Sequence, residues 1–206
     1  MTKSQLIIDI VTDQIRVDEG LFRLSIITTE LKNSDLNNWI KYELEGYPKK
    51  AELPRYRENM SVKTTYSGIN GSFKVDNAPL TIGMIPKELR PFFFEIDYRE
   101  NITISEEILR NENNVSFDHS GTAPLIYDYC GVQCYQITTT ISKISIRTVV
   151  NSTKRRLIEV LQKLESEYGI LDSFDIEISK HTPEETNRIN KTLTEVIYSD
   201  GKEENY

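Results

Sequence analysis

Four sets of residues in this 206-residue chain are of types that do chemistry. Carboxylates come first: Glu43 with Glu45, and Asp118 with Asp128, would form a metal or acid–base pair if the fold brought their side chains together. The second set is the two histidines. His119 lies in Asp118-His119-Ser120-Gly121, a polar turn suited to a general base, but no evident nucleophile accompanies it; His181 directly precedes a helix cap and reads as structural. The third is Cys130-Gly-Val-Gln-Cys134, whose three-residue spacing departs from the redox spacing of two. With His119 and His181 the only histidines available, a zinc site is not favoured either, and the thiols read as partly buried at the start of a strand. The fourth is Lys154-Arg155-Arg156, where a solvated face complementing Glu159 and Glu165 is favoured over a phosphate contact. No phosphate-binding glycine loop, G-x-S-x-G elbow, H-E-x-x-H pair or two-metal spacing is found. The expectation is therefore no catalytic residue, no metal and no cofactor.

The elements that would position these residues follow from hydrophobic period. Residues 4–46 predict three helices: Leu6, Ile7, Ile10, Val11 and Ile15 on the first, Leu21, Phe22, Leu24, Ile27 and Leu31 on a second capped by Asp18, and a third capped by Ser34. Alternation at Met60, Val62, Thr64 and Tyr66, a turn through Gly68-Ile-Asn70-Gly71, and return at Phe73 and Val75 predict a hairpin. Pro86 begins a short helix to Arg90, Phe92–Tyr98 reads as a strand, and Ser105 caps a helix through Arg110. Val115 to Phe117 and Val132 to Thr140 read as further strands, with Tyr127, Tyr129 and Tyr135 assigned to a core edge in preference to an interface. Ser142 to Tyr168 keeps helical spacing over about 40 Å, a length that also suits self-association. After Gly169 come a strand at Phe174, Ile176 and Ile178 and a helix opened by Thr182-Pro183-Glu184-Glu185. The fold class is α+β: an N-terminal helical bundle, an antiparallel or mixed β-sheet, one long late α-helix, and a C-terminal strand-helix appendage.

The densest local pattern is Trp39 to Arg57. Leu36, Trp39, Ile40 and Leu44 make one helical stripe, Gly46 closes the helix with a left-handed residue, Pro48 blocks its continuation, and Leu53-Pro54 sends the chain out extended. Glu43, Glu45, Arg55 and Arg57 read as a solvated helix face and exit loop. The spacing of Trp39, Glu43, Leu44, Gly46 and Tyr47, followed by Leu53, Pro54, Tyr56 and Arg57, resembles the N-terminal domain of the AbiTii abortive-infection family. Pro86, Leu89 and Arg90 agree with that resemblance in the same order, and it covers roughly residues 1–169. The family leads one to expect a helical or mixed run where Phe92–Tyr98 alternates like a strand.

The resemblance implies three parts: an AbiTii-like domain at 1–169, the appendage at 170–199 and a disordered tail at 200–206. It also implies antiphage defence. The leading reading is a non-enzymatic sensing, scaffolding or oligomerising module, with a protein partner encoded by an adjacent gene or supplied by the phage, and with homo-oligomers. The alternatives are a toxic effector such as a nuclease, using dispersed carboxylates with Arg90, Arg99 or Arg147, and an antitoxin-like neutraliser of a basic partner. Residues 170–206 hold nine acids and four bases, so five of the seven net negative charges lie there, and Ile189, Leu193, Val196 and Ile197 on the last helix are interface candidates. An acidic chain argues against general nucleic-acid binding. No run approaches the ~20 apolar residues of a membrane span and no signal peptide opens the chain, so no membrane partner and a cytoplasmic location are expected.

Overall fold

A computed structural model describes residues 3–111, 114–173 and 176–198. The fold is α+β, with eight α-helices and one four-stranded antiparallel sheet among the described residues. Contacts divide the chain into two units, one made of 1–56, 99–106 and 149–206, the other of 57–98 and 107–148. The chain leaves the first unit and returns to it twice. The disorder expected for 200–206 falls outside the described residues.

The first unit is helical. It holds α1 (Gln5–Val11), α2 (Val17–Ile27), α3 (Ser34–Glu45), the start of α5 (Ile102–Arg110), most of α7 (Lys143–Tyr168) and α8 (Pro183–Tyr198). Their buried stripes make one core: Leu6 and Ile10 from α1, Leu21 and Leu24 from α2, Leu36, Trp39 and Ile40 from α3, Leu157, Val160, Leu161 and Leu164 from α7, and Ile189, Leu193 and Ile197 from α8. The caps differ from expectation at two helices. α3 is capped by Asn33, whose Oδ1 accepts from Leu36 N at 3.1 Å, one residue before the predicted Ser34. α2 begins after Arg16, which makes no side-chain cap, and Asp18 instead accepts from the Thr103 hydroxyl at 2.9 Å. At α8 the capping box forms as its residues dictate: Glu185 Oε2 accepts from Thr182 N at 2.8 Å and Glu185 N donates to the Thr182 hydroxyl at 3.3 Å. The strand expected over 174–178 differs too. Residues 174–175 lie outside the described residues, and Ile178–Lys180 is a 3₁₀ turn.

Ser4 opens α1 without capping it. Its N–H and hydroxyl both donate to Glu165 Oε1 at 2.6 Å, and Lys3 Nζ reaches Glu165 Oε2 at 2.7 Å. Burial pushes the Glu165 carboxyl up, but the hydrogen bonds from Lys3 and Ser4 outweigh it and hold the group down at about 2. A carboxylate depressed in the folded state stabilises above its unfolded value, roughly 4.3, and that contribution is lost as pH falls toward about 2. Glu165→Gln is therefore expected to lower Tm at pH 7 and to flatten the decline of Tm between about pH 5 and pH 2. Thermal unfolding of both proteins across that range checks it, and parallel acid limbs would refute it.

The second unit is built on the sheet β2 (Phe73–Pro79), β1 (Val62–Asn70), β4 (Gln133–Ile141), β3 (Ser116–Asp118), in that order and antiparallel throughout. The hairpin turns at Gly71, and Gly68 sits at a β-bulge where a Cβ would come within 1.9 Å of the Gln133 carbonyl oxygen, so no side chain fits there. One sheet face carries Tyr66 and Ile137 into a core with Leu80, Ile85, Phe93, Ile126 and Cys134. Three local expectations are corrected here. Residues Arg90–Phe94 form a helix, α4, that buries Phe93 and leaves Phe92 exposed, so the strand expected over Phe92–Tyr98 is not formed there. Ser105 does not cap α5; the helix begins at Ile102, Asn101 Oδ1 accepts from Ile104 N at 2.8 Å, and Ser105 is buried inside it. Residues Ala123–Cys130 form a helix, α6, that no periodicity announced.

Candidate functional site

The Trp39 to Tyr56 corner of the first unit is the most elaborately bonded place in the protein. Leu36, Trp39, Ile40 and Glu43 stand at i, i+3, i+4 and i+7 of α3, and all four are buried. Glu43 is thus drawn inward, contrary to the solvated reading, and two of its neighbours in the sequence serve it. The Tyr47 hydroxyl donates to Glu43 Oε1 at 2.8 Å, and the Tyr56 hydroxyl donates to the same oxygen at 2.7 Å. Thr153 of α7 donates to Oε2 at 3.2 Å. Trp39 Nε1 donates to the Tyr56 oxygen at 3.0 Å, so indole, phenol and carboxylate form one chain of hydrogen bonds. A carboxylate buried this deeply is tolerated only when its oxygens are filled by such donors.

The exit loop is held by the same logic. Gly46 ends α3 at φ 96° and ψ 156°, an extended positive-φ conformation in place of the left-handed helical one expected, open to glycine because it has no Cβ to clash with its own backbone; a Cβ there would in addition meet the Arg99 carbonyl oxygen at 3.2 Å. Tyr47 N donates to that carbonyl at 2.8 Å, and Arg99 Nη1 returns to the carbonyls of Pro48 at 2.7 Å and Ala51 at 3.1 Å. Leu53 and Pro54 are buried, and Leu44 packs against the core. Arg156 lies with its guanidinium 4.3 Å from the Tyr56 ring centre, and its Nε donates to the Ile197 carbonyl at 3.0 Å. Burial pulls Arg156 below its ordinary value, against Tyr56, which favours the charged form. The basic cluster is therefore dispersed into structural roles: Arg156 is buried, Lys154 pairs with Asp13 at 2.6 Å, and Arg155 faces Glu159 at 3.9 Å.

The remaining residues of the pattern belong to the second unit. Arg57 is fully buried, contrary to the solvated reading, and donates to the Tyr98 carbonyl at 3.3 Å, while Tyr98 N donates to the Arg57 carbonyl at 2.8 Å. Pro86 precedes the 3₁₀ turn Lys87–Leu89, Leu89 packs on the second core, and Arg90 Nε donates to the Ile85 carbonyl at 3.2 Å. Arg147, the third arginine considered for an effector, is exposed. Glu45 and Arg55 are exposed as expected.

The other reactive types do not converge. Asp118 is held below its ordinary value by the Ser120 hydroxyl and N–H, which donate at 2.5 and 2.9 Å. Because Ser120 Oγ also accepts from Ile137 N at 3.0 Å, its hydroxyl closes a turn and is not presented as a nucleophile. His119 is buried between the Phe92 and Phe93 rings, at 4.5 and 4.8 Å between centres, and burial lowers its basicity. Cys130 is exposed at the end of α6 and Cys134 is buried on β4, so only the second fits the expected buried thiol. No group of three or more His, Cys, Asp or Glu suited to a metal occurs among the described residues.

Sequence reasoning missed the exposed aromatic side chains of the second unit. Phe73, Phe92, Phe117, Tyr127, Tyr129 and Tyr135 are between 38% and 75% exposed, so the three tyrosines do not form a core edge. Among the eight residues of α6 only Ile126 is fully buried, so Leu125, Tyr127 and Tyr129 stand exposed and no inward stripe marks the helix in the sequence. The four interface candidates of α8 are covered from within the first unit. Ile189, Leu193 and Ile197 are buried in its core and Val196 packs against them.

A helical unit with a buried carboxylate corner and a second unit with a small antiparallel sheet define an α+β protein. The family model for AbiTii matches residues 3–190, and the chain belongs to the AbiTii family. That match extends past Gly169 into α8. No curated protein and no solved structure matches the chain. Membership suggests a role in abortive infection as a phage defence. No helix among the described residues is long and apolar enough to cross a membrane.

Proposed function

We propose that this protein serves abortive infection as a non-enzymatic sensing or scaffolding module in the cytoplasm, holding a protein partner on the aromatic surface of its second unit. The observation that carries this reading is the state of Glu43. The one acid in the family pattern with an assembled environment is fully buried, and the hydroxyls of Tyr47, Tyr56 and Thr153 are directed onto it. Chemistry on a phage nucleic acid or nucleotide requires groups that a substrate can reach, whereas this arrangement sets the course of a loop. Exposed tyrosine and phenylalanine side chains are the residues that interfaces favour, since they bury much area with little loss of rotamer freedom. The partner is a product of an adjacent gene or of the phage.

Two experiments test this reading. Purified protein incubated with DNA, RNA and nucleotides in the presence of divalent metal ions is expected to turn over none of them, and expression alone is expected to be tolerated. Turnover abolished by one carboxylate substitution would replace the module by an effector. In infected cells, the chain is expected to retain a co-purifying protein that Tyr135→Ser and Phe73→Ser weaken without changing Tm. Protection lost in neither variant would remove the aromatic surface from the function.

A further inference from the structure

We propose that the groove between α2 and α3 is a two-fold contact through which two copies of this chain pair. α2 sends Leu21, Leu24 and Ile27 into the core, yet its opposite side carries Phe22 and Ile26, one turn apart and 57% and 59% exposed. Beside them lies a groove of about 560 Å³, with Phe22 and Thr29 on the α2 side, Ile40 and Leu44 beneath, and Lys41 and Glu45 at the rim. An exposed phenylalanine adjoining a hollow with Ile40 and Leu44 beneath and Ser25, Thr29 and Asn37 along its sides gives one surface both a projection and a receptacle. Such a surface fits a copy of itself when a two-fold axis sets each projection over the other's hollow.

The rim charges choose this occupant over a foreign helix. Lys41 and Glu45 are one turn apart on α3, 3.9 Å from each other, and both are well exposed. A two-fold axis between them reverses their order in the second copy, so Lys41 meets Glu45 of the other chain and Glu45 meets its Lys41. The groove offers one cation and one anion, with no bias toward a basic or an acidic partner. The chain as a whole carries a net charge of −7, so two copies repel over most approaches and lose least where the facing charges balance. This contact lies in the first unit, and it does not depend on the partner-holding reading of the second.

The test uses the full chain and sedimentation velocity over a concentration series, with circular dichroism to confirm folding. The wild type is expected to dimerise reversibly. Lys41→Glu and Glu45→Lys, each placing like charges opposite one another, are each expected to weaken the dimer about tenfold or more. Mixing the two variants in equal amounts should restore wild-type affinity, because a chain with two acids at the rim then faces a chain with two bases; tagged Lys41→Glu should capture untagged Glu45→Lys. Phe22→Ser should weaken pairing without altering Tm. A wild type that stays monomeric at several hundred micromolar overturns the proposal, as do variants that pair unchanged or a mixture no tighter than either variant alone.

Discussion

Ending the chain at Gly169 is expected to give an unfolded or insoluble product, because α8 is a wall of the first unit's core. Its removal uncovers the apolar surface that Ile189, Leu193 and Ile197 now cover. Burial of three such side chains contributes roughly 5–9 kcal/mol, against ~5–15 kcal/mol for the net stability of a typical domain. Polar contacts go with them. Arg156 Nε loses the Ile197 carbonyl, and Asn33 Nδ2 loses the Asn190 carbonyl it meets at 3.0 Å. A buried guanidinium left short of an acceptor adds to the cost. Circular dichroism and solubility of the 1–169 fragment decide the matter: a soluble fragment with a cooperative melt would show that α8 is dispensable.

The second large effect is expected at the corner. Glu43→Leu keeps approximate volume but leaves the hydroxyls of Tyr47, Tyr56 and Thr153 directed at an alkyl group, and each buried hydroxyl deprived of its acceptor costs about 1–3 kcal/mol. Trp39→Ala should cost about 3–5 kcal/mol through the cavity left by a fully buried indole. The two changes share Tyr56, which accepts from Trp39 and donates to Glu43, so the double variant is expected to lose less than the two losses added. Urea denaturation of the four proteins measures this coupling. Strict additivity would mean that the indole and the carboxylate act separately. Glu43→Gln provides a sharper control: a variant of unchanged stability that fails to protect cells from phage would transfer Glu43 from scaffold to reaction chemistry.

Much of the local structure was legible because its causes are local. The stripes of α1, α2 and α3, apart from Val11 and Phe22, which the structure leaves exposed, the length of α7, the β1–β2 hairpin and the Thr182–Glu185 capping box each depend on residues within a few positions of one another. The failures have the same root. The aromatic run at 92–98 reads as a strand by alternation, but α4 buries Phe93 and leaves Phe92 exposed. α6 buries one residue in eight, too few to write a period, although Pro124 near its start and Gly131 at φ 74° after its end are ordinary stop and start signals.

Glu43 divides the two kinds of information most sharply. Its place seven residues after Leu36 and four after Trp39 puts it on the inward stripe, and Tyr47, just past the end of α3, is within reach. Side-chain type alone argued for water, since an ionised carboxylate is expensive to bury. What reverses that preference is a pair of donors from outside the helix, Tyr56 at the end of the exit loop and Thr153 on α7, 110 residues along the chain. The sequence by itself determined most of the residues that face inward on α1, α2, α3 and α8. Only the tertiary structure decided that a charged one could stay there, because the free energy of burying a charge depends on partners that no local pattern records.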